Sequence, residues 1–223
     1  MVLRQTRLTA RLLFGTILAL AAFTLLQFGP DHLVPGRPGP DGTPILLPAW
    51  QAVIRTCLVA TLMMLAHEQA SRVKRWRRNI IRAGGVFATS WIGSLTLTVA
   101  IQIMQLAEAF GYAVNRGTGY GTVIGVLILF RANLLPKSRP AWFNGVALPI
   151  FASRTDVWCK VHRASAVRLM IIGLGALALA AFAPRGVDPV GPIIVLLLAE
   201  VALSTLHALW LGATTSPKKE TAR

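Results

Sequence analysis

The sequence predicts an all-α integral membrane protein with six transmembrane helices and both termini in the cytoplasm. Three observations lead there. Apolar residues make up 54% of the 223 residues, and the mean hydropathy is +0.60. Several segments approach the ~20 apolar residues needed to cross a hydrocarbon core of roughly 30 Å. The basic residues, which give a formal net charge of +15, gather in alternate connections instead of spreading along the chain. A soluble nucleic-acid binder of that charge would not be so apolar, so no nucleic-acid partner is expected.

The first expected span is 12–28, behind a basic stretch, 1–11, that carries Arg4, Arg7 and Arg11. Its pattern is close to a secretory signal, but no small-x-small cleavage site follows Phe28, so it is read as a span. Residues 29–46 are rich in Pro and Gly and are expected to order only as turns. The second span is 47–66, followed by a basic loop at 67–83, and the third is 84–107. The fourth, 117–130, is short; it is expected either to extend back toward Tyr112 or to be a tilted helix whose Gly117, Gly121 and Gly125 let a neighbouring backbone approach closely. A polar, proline-broken loop covers 131–163, since Pro136, Pro140 and Pro149 rule out one continuous helix. The fifth span is 164–183, the sixth 190–212, and 213–223 is a basic tail.

Lys and Arg are retained on the cytoplasmic side of a membrane. The N-terminal stretch, the second connection, the fourth connection and the tail carry the basic residues. The intervening connections carry only Arg37, Arg116 and Arg185. An error of one span would destroy this alternation. It places both termini inside.

Within this frame a few residues stand out. Arg72, Lys74, Arg75, Arg77, Arg78 and Arg82 fall within eleven positions beside a span. They suit anionic lipid head groups, at about 1 kcal/mol per residue near the surface, or a cytoplasmic partner; the plainer reading is that they fix topology. Arg55 and Glu200 are charges inside spans, which are costly and usually paired. Counted from the outer face at ~1.5 Å per residue, both lie at comparable depth, so an interhelical ion pair between them is expected. His67, His162 and His207 fall near one face but show no ligand spacing within a segment, so neither metal nor cofactor is expected. Cys57 and Cys159 give no disulfide framework. With eight acidic residues and no paired carboxylates, nucleophile elbow, phosphate loop or Cys-x-x-Cys, an enzyme is not expected.

The connection between the fourth and fifth spans has its own wording. Asn133, Pro136, Lys137, Arg139 and Pro140 are followed by Trp142, Phe143, Gly145 and Pro149, then Ser153, and finally the box Trp158, Lys160, His162, Arg163. In order and spacing this resembles the SdpI family, multi-pass proteins of the bacterial inner membrane that give immunity to a membrane-active killing peptide. Ala132 replaces the family's Gly, and Ala147 to Phe151 replace its Arg-Thr-Pro-Trp-Thr element. The resemblance implies binding of an amphipathic peptide at or in the bilayer and, in some relatives, recruitment of a cytoplasmic repressor. A second reading is an accessory subunit packed against a larger membrane complex, which the apolar Ala147 to Phe151 element favours. Membrane lipids are partners under either reading.

Overall fold

The computed structural model describes residues 2–38, 44–83, 85–140, 154–182 and 189–214. Helix α1 (Val2–Phe28) leads into a hairpin of β1 (Leu33–Pro38) and β2 (Pro44–Pro48), then α2 (Ala49–Arg72), the short α3 (Lys74–Ala83), α4 (Gly85–Ala109) and α5 (Arg116–Leu134). A 3-10 turn (Leu135–Lys137) follows α5, and α6 (Thr155–Phe182) and α7 (Val190–Thr214) complete the bundle. Six of these helices, all but α3, are long and apolar enough to cross a membrane. The chain is a multi-pass membrane protein.

The helices run past the apolar spans, because hydropathy marks only the part in hydrocarbon while backbone hydrogen bonding continues into the interface. Helix α1 therefore includes Arg4, Arg7 and Arg11, and α2 continues to Arg72. Helix α5 resolves the short fourth span by extending to Leu134, capped where Asn115 Oδ1 accepts from the Thr118 amide at 3.2 Å. Helix α6, at ~1.5 Å per residue, is about 42 Å long and exceeds the hydrocarbon thickness. It begins nine residues before 164, so the box from Trp158 to Arg163 is helical and not loop.

Two connections differ from expectation. Residues 29–46 do not order only as turns: Leu33 pairs with Pro48, Val34 with Leu47 and Pro35 with Leu46 in antiparallel register, with an irregularity before Pro38 pairs with Pro44. Proline is tolerated because both strands of a two-stranded ribbon are edges. Burial of Val34 against Ala49 and Ala52 holds the hairpin to α2. The basic stretch 67–83 is no loop either. Val73 is extended and ends α2, after which α3 starts with the Arg77 amide donating to the Val73 carbonyl at 2.8 Å. Helical spacing turns Ile80 and Ala83 inward while Lys74, Arg77, Arg78 and Arg82 stay exposed.

Two packed groups share the core. Ala10, Ile17, Ala60, Trp91 and Leu95 join α1, α2 and α4. Val86, Ile128, Ala132, Leu135, Ala166, Leu169, Ala176 and Ile193 join α4 to α5, α6 and α7. The closest crossing is between α5 and α6, where Gly125 faces Gly173. A Cβ on Gly125 would lie 3.2 Å from the Gly173 carbonyl oxygen, and one on Gly173 would lie 3.2 Å from that of Gly125. Gly121 adds to the seam, since its Cβ would sit 3.2 Å from Ala180. The bundle has one end carrying α3 and the basic helix termini, called here the basic face, and an opposite end carrying the hairpin.

Candidate functional site

The densest polar arrangement inside the bundle lies between α6 and α7. Arg168 Nε donates to Glu200 Oε2 at 2.5 Å, and its terminal nitrogen donates to Glu200 Oε1 at 3.2 Å and to Ser204 Oγ at 2.8 Å. Ser204 Oγ donates to Glu200 Oε1 at 2.6 Å. The carboxylate, 2% exposed, is thus satisfied on both oxygens by a bidentate cation and a hydroxyl one helical turn away. Glu200 is paired as the sequence demanded, but not with Arg55. Helix α2 packs on α1, α3, α4 and the hairpin, whereas α7 packs on α6 and α5. Arg55 lies on the exposed side of α2. Sequence reasoning missed Arg168 because starting the fifth span at 164 put it near the interface, when it lies in the middle of a longer helix.

At the hairpin face a second ion pair acts as a latch. Arg116 Nε donates to both Glu108 oxygens, at 2.7 and 2.9 Å, and a terminal nitrogen also donates to Glu108 Oε2 and to the Pro35 carbonyl oxygen at 2.8 Å. One side chain therefore ties α4, α5 and β1 together. Two left-handed glycines turn the chain here, Gly29 at φ +80° after α1 and Gly111 at φ +85° after α4. Phe110 packs edge-on against Phe28 at 4.9 Å, and Phe28 stacks on His32 at 4.9 Å. Around this ordered base Leu33, Leu46, Trp50 and Tyr112 remain exposed, Tyr112 to 71%. The platform was not legible: Arg116 counted only as a stray outer charge.

The basic face is pinned by Glu68, which faces Arg7 at 3.6 Å, Arg11 at 3.7 Å and Arg72 at 3.6 Å. Arg7 also donates to Ser71 Oγ at 2.5 Å. Arg72, expected among the lipid- or partner-binding cations, is engaged with Glu68, while Lys74, Arg75, Arg77, Arg78 and Arg82 lie on α3. Within the family-like stretch, Asn133 is exposed in the last turn of α5, and Pro136, Lys137 and Arg139 are exposed in the turn that follows, around a buried Ser138 whose Oγ donates to the Leu135 carbonyl at 2.7 Å. Trp142, Phe143, Gly145, Pro149 and the element from Ala147 to Phe151 lie outside the described residues. In the box, Trp158 and His162 are one helical turn apart, buried and stacked at 4.0 Å, while Lys160 and Arg163 point outward. Asp156 in the first turn of α6 is held by Arg154 at 3.2 Å and offsets the helix dipole beneath these cations.

Two of the three histidines singled out from the sequence are hydrogen-bonded to their own helices, and His207 stacks on Trp210 instead. His67 Nδ1 donates to the Met63 carbonyl at 2.7 Å and its ring stacks on Trp91 at 4.9 Å, and His162 Nδ1 donates to the Trp158 carbonyl at 2.9 Å. Among the described residues no three metal-ligating side chains converge.

A cavity of about 330 Å³ opens beside the polar cluster, where α4 and α7 flank the surface of α5. Arg131 lies at its basic-face end, its guanidinium donating to Ser90 Oγ at 2.6 Å. Arg131 escaped notice because the expected fourth span ended one residue before it. Comparison of the chain with protein-family models, curated proteins and solved structures finds no match.

Proposed function

We propose that this chain is an SdpI-like, non-enzymatic protein of a bacterial inner membrane that gives tolerance to a membrane-active peptide. The observation that carries the reading is the platform at the hairpin face, locked by Arg116 and presenting exposed Leu33, Leu46, Trp50 and Tyr112. An amphipathic peptide reaching the membrane from outside would meet these side chains before the hydrocarbon, and aromatic rings suit that boundary. The wording from Asn133 to Arg163 supports the same family. The basic face would then lie inside, where α3 can hold anionic lipid or recruit an acidic cytoplasmic partner by charge complementarity.

The test is survival of a peptide-sensitive bacterium expressing the chain. Protection by the wild type, reduced by Arg116→Ala at equal membrane abundance, is the expected result. No protection, together with stoichiometric co-purification of other membrane subunits, would instead make the chain an accessory subunit.

A further inference from the structure

The cavity between α4 and α7 has the chemistry of a lipid site. Its walls are Gly93 and Leu97 of α4, Ile124 and Leu127 of α5, and Leu197 and Val201 of α7. Its volume of about 330 Å³ is at the small end of the roughly 300–1,000 Å³ typical of ligand pockets. Helix α4 packs on α5 and α7 packs on α6 and α5, which leaves a gap over α5. Val201 is half exposed at the rim, so the gap opens sideways into the bilayer and not into water.

One end differs from the rest. Arg131 lines the cavity and bonds the neutral Ser90 hydroxyl at 2.6 Å, and among the described residues no carboxylate pairs with it. Glu200 also lines the cavity, but Arg168 and Ser204 occupy both its oxygens, so its charge is already answered. A guanidinium held at the edge of hydrocarbon without a counter-ion is costly, and an anion bound there offsets that cost. Ser90 lies five residues into α4, or about 7.5 Å from its basic-face end at 1.5 Å per residue. That depth matches a phosphate sitting just below the surface, with its chain running toward Leu97 and Ile124.

We propose that the groove between α4 and α7 binds one anionic phospholipid from the leaflet at the basic face, its phosphate on Arg131 and Ser90 and an acyl chain along the apolar walls. This site is independent of the platform at the other end and of the peptide reading.

The full chain, reconstituted with a mixture of phosphatidylglycerol and phosphatidylcholine and examined by native mass spectrometry, provides the test. One phosphatidylglycerol should survive activation that strips the phosphatidylcholine. Arg131→Gln should lower the retained fraction at least tenfold and Arg131→Lys should recover part of it. Arg4→Gln, at the exposed basic-face end of α1, should leave it unchanged, separating this site from general attraction to the basic face. Should Arg131→Gln not fold, Val201→Trp at the half-exposed rim keeps the guanidinium and should displace the lipid by filling the gap. Equal retention of the two lipids, retention unaffected by Arg131→Gln or Val201→Trp, or a bound peptide in the lipid's place would overturn the assignment.

Discussion

Replacing Arg168 with leucine leaves the Glu200 carboxylate buried without its cation. Removing one partner of a buried pair costs roughly 3–5 kcal/mol, while removing both can be near neutral. Arg168→Leu is therefore expected to lower the detergent melting temperature sharply, and Arg168→Leu/Glu200→Leu to recover most of the loss. Arg55→Ala, on the exposed side of α2, should stay within about 0.5 kcal/mol of wild type. Equal effects of Arg55→Ala and Arg168→Leu in the same melt would restore the pairing expected from sequence. That an intramembrane acid needs a partner was readable from Glu200 alone. Which cation answers it was not, because helix neighbours and helix ends are set by packing, and the hydropathy boundary at 164 concealed how deep Arg168 lies. Trp158 and His162 show the opposite case. Their four-residue spacing is a helical period, and burial of that pair with exposure of Lys160 and Arg163 explains why the box mixes aromatic and basic residues.

At the scale of elements, the crossing of α5 and α6 depends on two glycines whose absent side chains let the backbones approach. A Cβ on Gly173 would meet Leu129 Cδ2 at 2.9 Å, whereas one on Gly175, two residues along the same helix, meets nothing within 4 Å. Gly173→Leu should therefore destabilise by at least the 1–3 kcal/mol of an overpacked core, with Gly175→Leu close to neutral in the same thermal melts. Similar losses for both would mean the crossing is looser than this geometry. The role of glycine in the fourth span was legible in Gly121 and Gly125, since small residues spaced four apart mark a helix contact. The hairpin was not, because its apolar residues Leu33, Val34 and Ile45, Leu46, Leu47 are consecutive and set among Pro and Gly, so no period-2 pattern marks the strands. Helix α3 was hidden for a related reason: its charges read as a loop, although no Pro or Gly interrupts 74–83.

For the whole molecule, six spans were legible because hydrophobic length is a coarse and redundant property that survives errors of several residues at each end. Nothing in hydropathy says that α4 bridges two packed groups, or that a gap remains between α4 and α7. Those follow from side-chain shape along entire helices. The two ends of the bundle also differ in kind. One has α3 and the arginines around Glu68; the other has an apolar, aromatic platform latched by Arg116. Opening that latch with Glu108→Gln should loosen the hairpin while leaving the bundle folded, seen as faster amide exchange over 33–48 with little change elsewhere. Unchanged exchange there would show that burial of Val34 suffices without the ion pair.

The tolerance reading stands on the platform facing the outside of the cell, so orientation is the measurement that tests it most directly. In a Cys57→Ala/Cys159→Ser background, Tyr112→Cys and Arg78→Cys place single thiols at opposite ends of the bundle. A membrane-impermeant maleimide applied to intact cells should label the cysteine at position 112 and reach the one at position 78 only after permeabilisation. Labelling at position 78 with protection at 112 would put the platform inside the cell, where no peptide arriving from outside could meet it, and would contradict the account.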